Sequence, residues 1–110
     1  MARAVRIDTE EEAYQHAVGL LARKARTSAE VARDLAARGA SDEVVESVLG
    51  RLKSHRHLDD AAYAFDTASA LLDGKGLSPA AAVATLVERG VVEGVARDAV
   101  EGARESRSEA

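Results

Sequence analysis

The sequence has no cysteine, no tryptophan, one proline and only three aromatic residues among 110. Without cysteine, neither disulfide bonds nor thiolate zinc sites can form, which fits a reducing compartment. Few aromatic side chains disfavour a β-sheet protein. No apolar run approaches the roughly 18 residues that span a bilayer, and Met1–Thr9 lacks the apolar stretch of a signal peptide. These absences together predict a cytoplasmic protein without membrane association.

Alanine dominates the apolar residues that are present. The chain has 24 Ala against 12 Val, 10 Leu and one Ile. Because alanine buries little surface, this composition favours thin, closely packed helices over a barrel or a sandwich. A length of 110 residues allows one domain, or two very small ones. We therefore predict an all-α protein.

Capping signals divide the first half of the chain into three helices. Thr9 and Thr27 each precede a glutamate by three residues, which is the spacing of a capping box, and Ser41 precedes two acids. Gly39 can adopt the left-handed conformation that ends a helix. The predicted helices span about residues 10–25, 28–38 and 42–53.

The second half repeats this pattern at an offset of 51 residues without a gap. Thr27 matches Ser78, Gly39 matches Gly90, and the core position Leu35 matches Leu86. Further helices are thus predicted over about residues 60–73, 79–89 and 93–104. Two tandem three-helix repeats in an elongated molecule are the simplest account. The predicted parts are an N-terminal extension (1–8), repeat 1 (9–57), repeat 2 (58–104) and a disordered tail (105–110).

Charge is distributed unevenly between the halves. Residues 1–56 carry 10 basic and 9 acidic side chains, a balance of +1, whereas residues 57–110 carry 5 and 10, a balance of −5. The cations of the first half could form a weak surface for a polyanion. Alternatively they are ordinary solvated helix faces, since acids and bases alternate at helical spacings.

Four strings with their spacing resemble a known family. They are LLARKARTSAEV (residues 20–31), LAARG (35–39), VLGRL (48–52) and the junction LDD (58–60), which Tyr63 and Ala64 follow. In this order they resemble RecX, the family of bacterial regulators of the RecA recombinase, over about residues 13–101. Family members usually carry three helical repeats, and two are recognisable here.

The resemblance implies a string of three-helix repeats with no enzymatic activity and no cofactor. It implies binding to RecA, or to the RecA filament on single-stranded DNA, and modulation of its ATPase and strand exchange, in the direction of inhibition. Such a role belongs to DNA repair, recombination and the SOS response. We expect a monomer that also makes weak direct contact with DNA.

The resemblance also indicates candidate residues. Basic positions that could meet acidic RecA surface or phosphate are Arg23, Lys24, Arg26, Arg33, Arg38, Arg51 and Arg56. The family motif at the repeat junction comprises Leu58, Asp59, Asp60 and Tyr63. Capping of the following helix is the favoured explanation of the two aspartates.

Other functions remain open at this stage. His55, His57 and the neighbouring aspartates could bind a metal, but no further ligand stands at a recognised spacing, so no metal site is predicted. Tyr14, Tyr63 and Phe65 could stack on bases or simply pack. A helix-turn-helix protein would read DNA with the third helix, whose first turn is acidic. A helical module that binds only protein is a further alternative.

Overall fold

Six α-helices and one π-helical turn form the regular structure of residues 6–108, which the computed structural model describes. The helices are α1 (Glu10–Arg23), α2 (Ser28–Ala37), α3 (Asp42–Ser54), α4 (Asp60–Ser69), α5 (Pro79–Glu88) and α6 (Glu93–Ser108). The π-helical turn Ala70–Gly74 continues α4. No strand occurs in this part of the chain. The predicted all-α fold of tandem three-helix units is confirmed, and the chain divides into two compact units between Asp59 and Asp60.

Hydroxyl side chains cap four of the helices at the positions that the sequence predicts. Thr9 Oγ1 accepts a hydrogen bond from the Glu12 N–H at 3.1 Å, and Ser41 Oγ accepts one from Val44 at 3.2 Å. A further cap is Ser78, which accepts from the backbone N–H three residues later at 3.2 Å. Each bond satisfies an N–H group that the helix itself leaves unpaired.

The fourth cap is a complete capping box around Thr27. Its Oγ1 accepts from the Glu30 N–H at 3.1 Å, and the Glu30 carboxylate accepts from the Thr27 N–H at 2.9 Å. Thr27 is fully buried. Both halves of this exchange therefore fix the entry to α2.

Two glycines end the middle helices in the same way. Gly39 has φ +97° and Gly90 has φ +98°, values that favour glycine over other residues. The next N–H, that of Ala40 or Val91, donates back to the carbonyl of Leu35 or Leu86 at 3.1 Å and 3.0 Å respectively. Both units thus turn from their second to their third helix through an equivalent C-terminal motif.

Separate cores hold the two units. The first core consists of Ile7, Ala13, Ala17, Val31, Leu35, Val45, Val48, Leu52 and Leu58. The second consists of Ala64, Ala68, Leu71, Leu72, Ala82, Leu86, Val91, Ala96, Ala99, Val100 and Ala103. At the 51-residue offset, four core positions that are Val or Leu in the first unit are Ala in the second: Val31/Ala82, Val45/Ala96, Val48/Ala99 and Leu52/Ala103.

Two residues near the predicted part boundaries belong to the first unit. Ile7, predicted to lie in an N-terminal extension, is 4% exposed, and its N–H donates to the Arg38 carbonyl at 2.9 Å. Leu58, predicted to open the second repeat, packs in the first core. Apolar contact thus extends the first unit beyond residues 9–57 at both ends. Residues 1–5 lie outside the described part of the chain.

The second unit departs from prediction in two places. Instead of one α-helix to Asp73, a π-helical turn begins at Ala70, and it buries the consecutive Leu71 and Leu72 together. The last helix continues to Ser108, so residues 105–108 are helical rather than a disordered tail. In its final turns, Arg107 Nε lies 2.7 Å from the Asp73 carboxylate in an exposed ion pair. Residues 109–110 lie outside the described range.

Candidate partner-binding surface

Arg38, one of the predicted contact residues, takes part in a group of polar side chains that links α1 and α2. We call such a link between helices a polar tie. Arg38 Nε donates to Asp34 Oδ1 at 2.9 Å, and His16 Nε2 lies 2.9 Å from the same oxygen. Partial burial raises the pKa of Asp34, but the hydrogen bonds from Arg38 and His16 outweigh this effect, so its pKa lies below the ordinary value. The charge of Arg38 is therefore compensated within the first unit.

Arg51 is held in a second tie, between α3 and α1. Its Nη1 and Nη2 lie 3.2 Å and 3.3 Å from the carboxylates of Glu10 and Glu11. The guanidinium carbon also lies 3.9 Å from the centre of the Tyr14 ring, which is cation–π geometry. Hydrogen bonds from Gln15 and then from Arg51 lower the pKa of Glu11. Arg51 thus stabilises the packing of the first unit.

Four of the predicted cations stand apart from such ties. Arg23, Lys24, Arg33 and Arg56 are exposed, and none forms an ion pair with another residue in the range 6–108. Arg23 ends α1, and Lys24 follows it as the C-cap. Arg33 lies on α2, and Arg56 follows α3 with φ +60°. We call these four the exposed cations of the first unit.

Arg26 has an intermediate position between these groups. It lies in the connection between α1 and α2 and is half-buried. Its Nε atom is buried and has no hydrogen-bond partner among the described residues. A buried donor of this kind is costly unless an acceptor reaches it.

The junction motif is built into the packing. Leu58 is 4% exposed, in the first core, and Asp60 is the first residue of α4. Tyr63 is half-buried, and its hydroxyl accepts a hydrogen bond from Arg89 Nη1 at 3.3 Å. Asp59 is the exposed member. Leu58 and Tyr63 are therefore part of the packing, and Asp60 opens α4.

Two of the three histidines of the first unit contact Tyr14. The rings of His55 and His57 meet the Tyr14 ring edge-on at centroid distances of 6.3 Å and 6.5 Å. In the described part of the chain, no group of three or more His, Cys, Asp or Glu side chains is arranged to hold a metal ion. Within residues 6–108, no helix combines the length and apolarity needed to cross a membrane.

Sequence reasoning missed both polar ties, although it named two of their arginines. His16 and Asp34 are 18 residues apart, and Arg51 is 41 residues from Glu10. Such pairs follow no local spacing. The one available signal is the i, i+4 distance between Asp34 and Arg38, which suits an ion pair on a helix face.

Taken together, two successive three-helix units with capped middle helices and exposed cations on the first define an all-helical tandem-repeat protein. Comparison with known proteins gives the family. Residues 13–52 match the family model described as RecX, first three-helix domain.

Similar proteins agree with this match along most of the chain. Regulatory protein RecX of Thermobifida fusca (strain YX) is 38% identical over 91 residues, which cover 83% of this chain and 49% of that protein. Regulatory protein RecX of Mycobacterium ulcerans (strain Agy99) is 37% identical over 93 residues, 84% of this chain and 54% of the relative. The chain belongs to the RecX family of regulatory proteins, and it spans about half the length of these two relatives.

Solved structures share the fold. The crystal structure of RecX from Lactobacillus salivarius superposes with a TM-score of 0.80 at 20% identity, covering 83% of this chain and 59% of that one. A second crystal structure, of regulatory protein RecX, gives a TM-score of 0.79 at 24% identity, covering 84% of this chain and 47% of that one. At these identities the likeness concerns the fold.

Proposed function

We propose that this chain is a non-enzymatic regulator that binds RecA, or the RecA filament on single-stranded DNA, and restrains its ATPase and strand exchange. The observation that carries the proposal is membership of the RecX regulatory family. It is supported by relatives that are 37% and 38% identical over more than four fifths of the chain. Action by binding alone needs no catalytic group or cofactor. The place of action is the bacterial cytoplasm, in DNA repair.

The exposed cations of the first unit are the proposed contact with the filament. Arg23, Lys24, Arg33 and Arg56 are free to meet acidic protein surface or phosphate. Arg38 and Arg51 already face carboxylates of their own unit. Arg26 is left out of this contact, because it is half-buried and its unpaired Nε atom is enclosed. Each exposed pair contributes roughly 0–1 kcal/mol, so several must act together.

Reading of duplex DNA by a helix-turn-helix is disfavoured by the first turn of α3. Asp42 and Glu43 lie in that turn and Glu46 in the next, and all three are exposed. They would repel the phosphates that flank the major groove. A module that binds only protein is the second candidate, and the −5 balance of residues 57–110 favours it.

Fluorescence anisotropy of the labelled chain with the RecA of its own host tests the proposal. Titrations with and without single-stranded DNA and nucleotide, at two salt concentrations, should show binding that requires the assembled filament and weakens with salt. The single-stranded-DNA-dependent ATPase of RecA should fall in parallel. Absence of binding to RecA in every state, with a folded protein, would contradict the proposal, and salt-insensitive binding without DNA would favour the protein-only module.

A matched pair of variants locates the contact. Replacing Arg23, Lys24 and Arg33 together by serine should weaken filament binding by about tenfold or more. Arg97→Ser is the control, since Arg97 is an exposed arginine of the second unit that faces Glu93 at 3.6 Å. If Arg97→Ser weakens binding as much as the triple change, the exposed cations of the first unit are not the contact.

A further inference from the structure

An aromatic ring occupies the matching sequence position in both units, but its neighbouring side chains differ. At the 51-residue offset, Tyr14 on α1 corresponds to Phe65 on α4, and Arg51 on α3 corresponds to Gly102 on α6. In the first unit, the Arg51 guanidinium lies 3.9 Å from the centre of the Tyr14 ring and faces two carboxylates. Gly102 has no side chain to supply such a cation to Phe65.

The Phe65 ring is accordingly open to solvent on one side. It packs against Gly102, where an added Cβ would lie 3.5 Å from Cε2, and it stays 40% exposed. A shallow cavity of about 270 Å³ adjoins the ring, lined by Ala61, Phe65, Val95, Asp98 and Ala99. Pockets for small molecules span roughly 300–1,000 Å³, so this space suits a single side chain better than a cofactor.

A carboxylate stands at the edge of this cavity. Asp98 is exposed and forms no ion pair or side-chain hydrogen bond with any residue in the range 6–108. Its counterpart in the first unit is Ser47, while the counterparts of Glu10 and Glu11 are Ala61 and Ala62. The second unit therefore has an aromatic ring at the matching position and an acid at a different position, but it lacks the cation that contacts such groups in the first unit.

We propose that the Phe65–Asp98 cavity receives an arginine side chain of a partner protein, in the manner in which Arg51 covers Tyr14. The guanidinium stacks on the Phe65 ring while its N–H groups donate to the Asp98 carboxylate. Arginine fits this pair of groups better than lysine, because its planar head can stack and bind a carboxylate at the same time.

Charge supports this occupant over a nucleic acid. Residues 60–110, the second unit, carry 9 acidic and 5 basic side chains, so the field around this unit attracts cationic groups. A base stacked on Phe65 would bring its phosphates towards Asp98, which would repel them. The site does not depend on RecA being the partner, and its test uses no RecA.

The single phenylalanine of the chain gives a direct probe. Incorporation of 19F-phenylalanine into the full chain yields one protein resonance, from Phe65. This resonance is followed during titration with three blocked tripeptides that have arginine, lysine or glycine between two glycines, and with an oligothymidine. We expect a saturable shift with the arginine peptide, a several-fold weaker response to lysine, and no response to the glycine peptide or the oligothymidine.

Variants assign the response to the two groups. Asp98→Asn should weaken binding of the arginine peptide by roughly two- to fivefold. Gly102→Arg should supply the cation from within, so that the resonance is shifted without peptide and no longer responds to it. Gly102→Ala is the control and should bind as the native chain does, because an added Cβ makes only ordinary contact with the ring.

Several outcomes would overturn the proposal. They are equal shifts with the arginine and glycine peptides, a response confined to the oligothymidine, and unchanged arginine binding in Asp98→Asn. If Gly102→Arg fails to fold by circular dichroism, the exposed Asp98→Asn still decides. Loss of RecA binding in the earlier experiment leaves this result untouched, so the two proposals fail separately.

Discussion

The two units show that one helical frame can be held by different side chains. Both use a hydroxyl cap before the middle helix and a left-handed glycine after it. The first fills its core with Val and Leu and adds the Arg38 and Arg51 ties, whereas the second has Ala at four matching core positions. Small side chains allow helices to pack at shorter axial distances. The same backbone plan thus accommodates cores of different side-chain volume.

The largest expected effect tests this difference in core volume. Leu52 is fully buried and corresponds to Ala103, which is 1% exposed. Leu52→Ala should lower the free energy of unfolding by about 2–5 kcal/mol through a cavity. The reciprocal Ala103→Leu should lower it by about 1–3 kcal/mol through overpacking. Urea denaturation followed by circular dichroism measures both, and a stabilising Ala103→Leu would mean that the second core is loosely filled.

Removing the N-terminal cap of a middle helix should lower the free energy of unfolding by less than the core changes do, and the loss should differ between the two units. Thr27→Ala removes a buried hydroxyl and leaves the Glu30 N–H without its acceptor, so a loss of about 1–2 kcal/mol is expected. Ser78→Ala removes one exposed bond ahead of Pro79, which already favours a helix start, and should cost about 0.5–1 kcal/mol. Thermal melts compare the two variants. Equal losses would show that burial of the Thr27 hydroxyl adds nothing to its cap.

The smallest expected effect on stability is a pH dependence that arises from Asp34 in the first unit. The pKa of Asp34 lies below its ordinary value, so the ionised carboxylate favours the folded state above a pH of about 3.9. This stabilisation is lost as the pH falls through that value towards the pKa in the folded state.

Asp34→Asn should therefore reduce stability at neutral pH by up to about 1 kcal/mol and flatten its dependence on pH in this acidic range. Unfolding in urea at a series of pH values measures the difference. Asp66→Asn is the control, because Asp66 is exposed and has no ion pair within residues 6–108. If the free energy of unfolding of Asp34→Asn depended on acidic pH as that of the native chain does, Asp34 would not be the source of the pH dependence.

Local signals explain how much of the fold was predictable. Thr27, Ser41 and Ser78 cap helices as predicted, and Gly39 and Gly90 end them, because these roles depend on residues three to five positions away. The predicted end of α6, at about residue 104, was wrong, since the helix continues to Ser108. Its last turns include an exposed ion pair between Arg107 and Asp73, which are 34 residues apart and therefore show no local pattern.

The candidate site was less accessible to sequence reasoning. A basic residue looks the same in the sequence whether it faces solvent, as Arg33 does, or a carboxylate 41 residues away, as Arg51 does. Only the fold separates them. The π-helical turn at Ala70–Gly74 also escaped prediction, since Leu71 and Leu72 fit an ordinary helix with one of them half-exposed.

The separation of the two cores has a consequence for synthesis of the chain. The first core runs from Ile7 to Leu58 and the second from Ala64 to Ala103, so each joins residues that are close in sequence. Helical units with such local contacts fold in about microseconds to milliseconds. Translation of the 51 residues from Asp60 to Ala110 takes roughly 3–10 s at about 5–20 residues per second. The ribosome thus leaves the first unit ample time to fold before the second is complete.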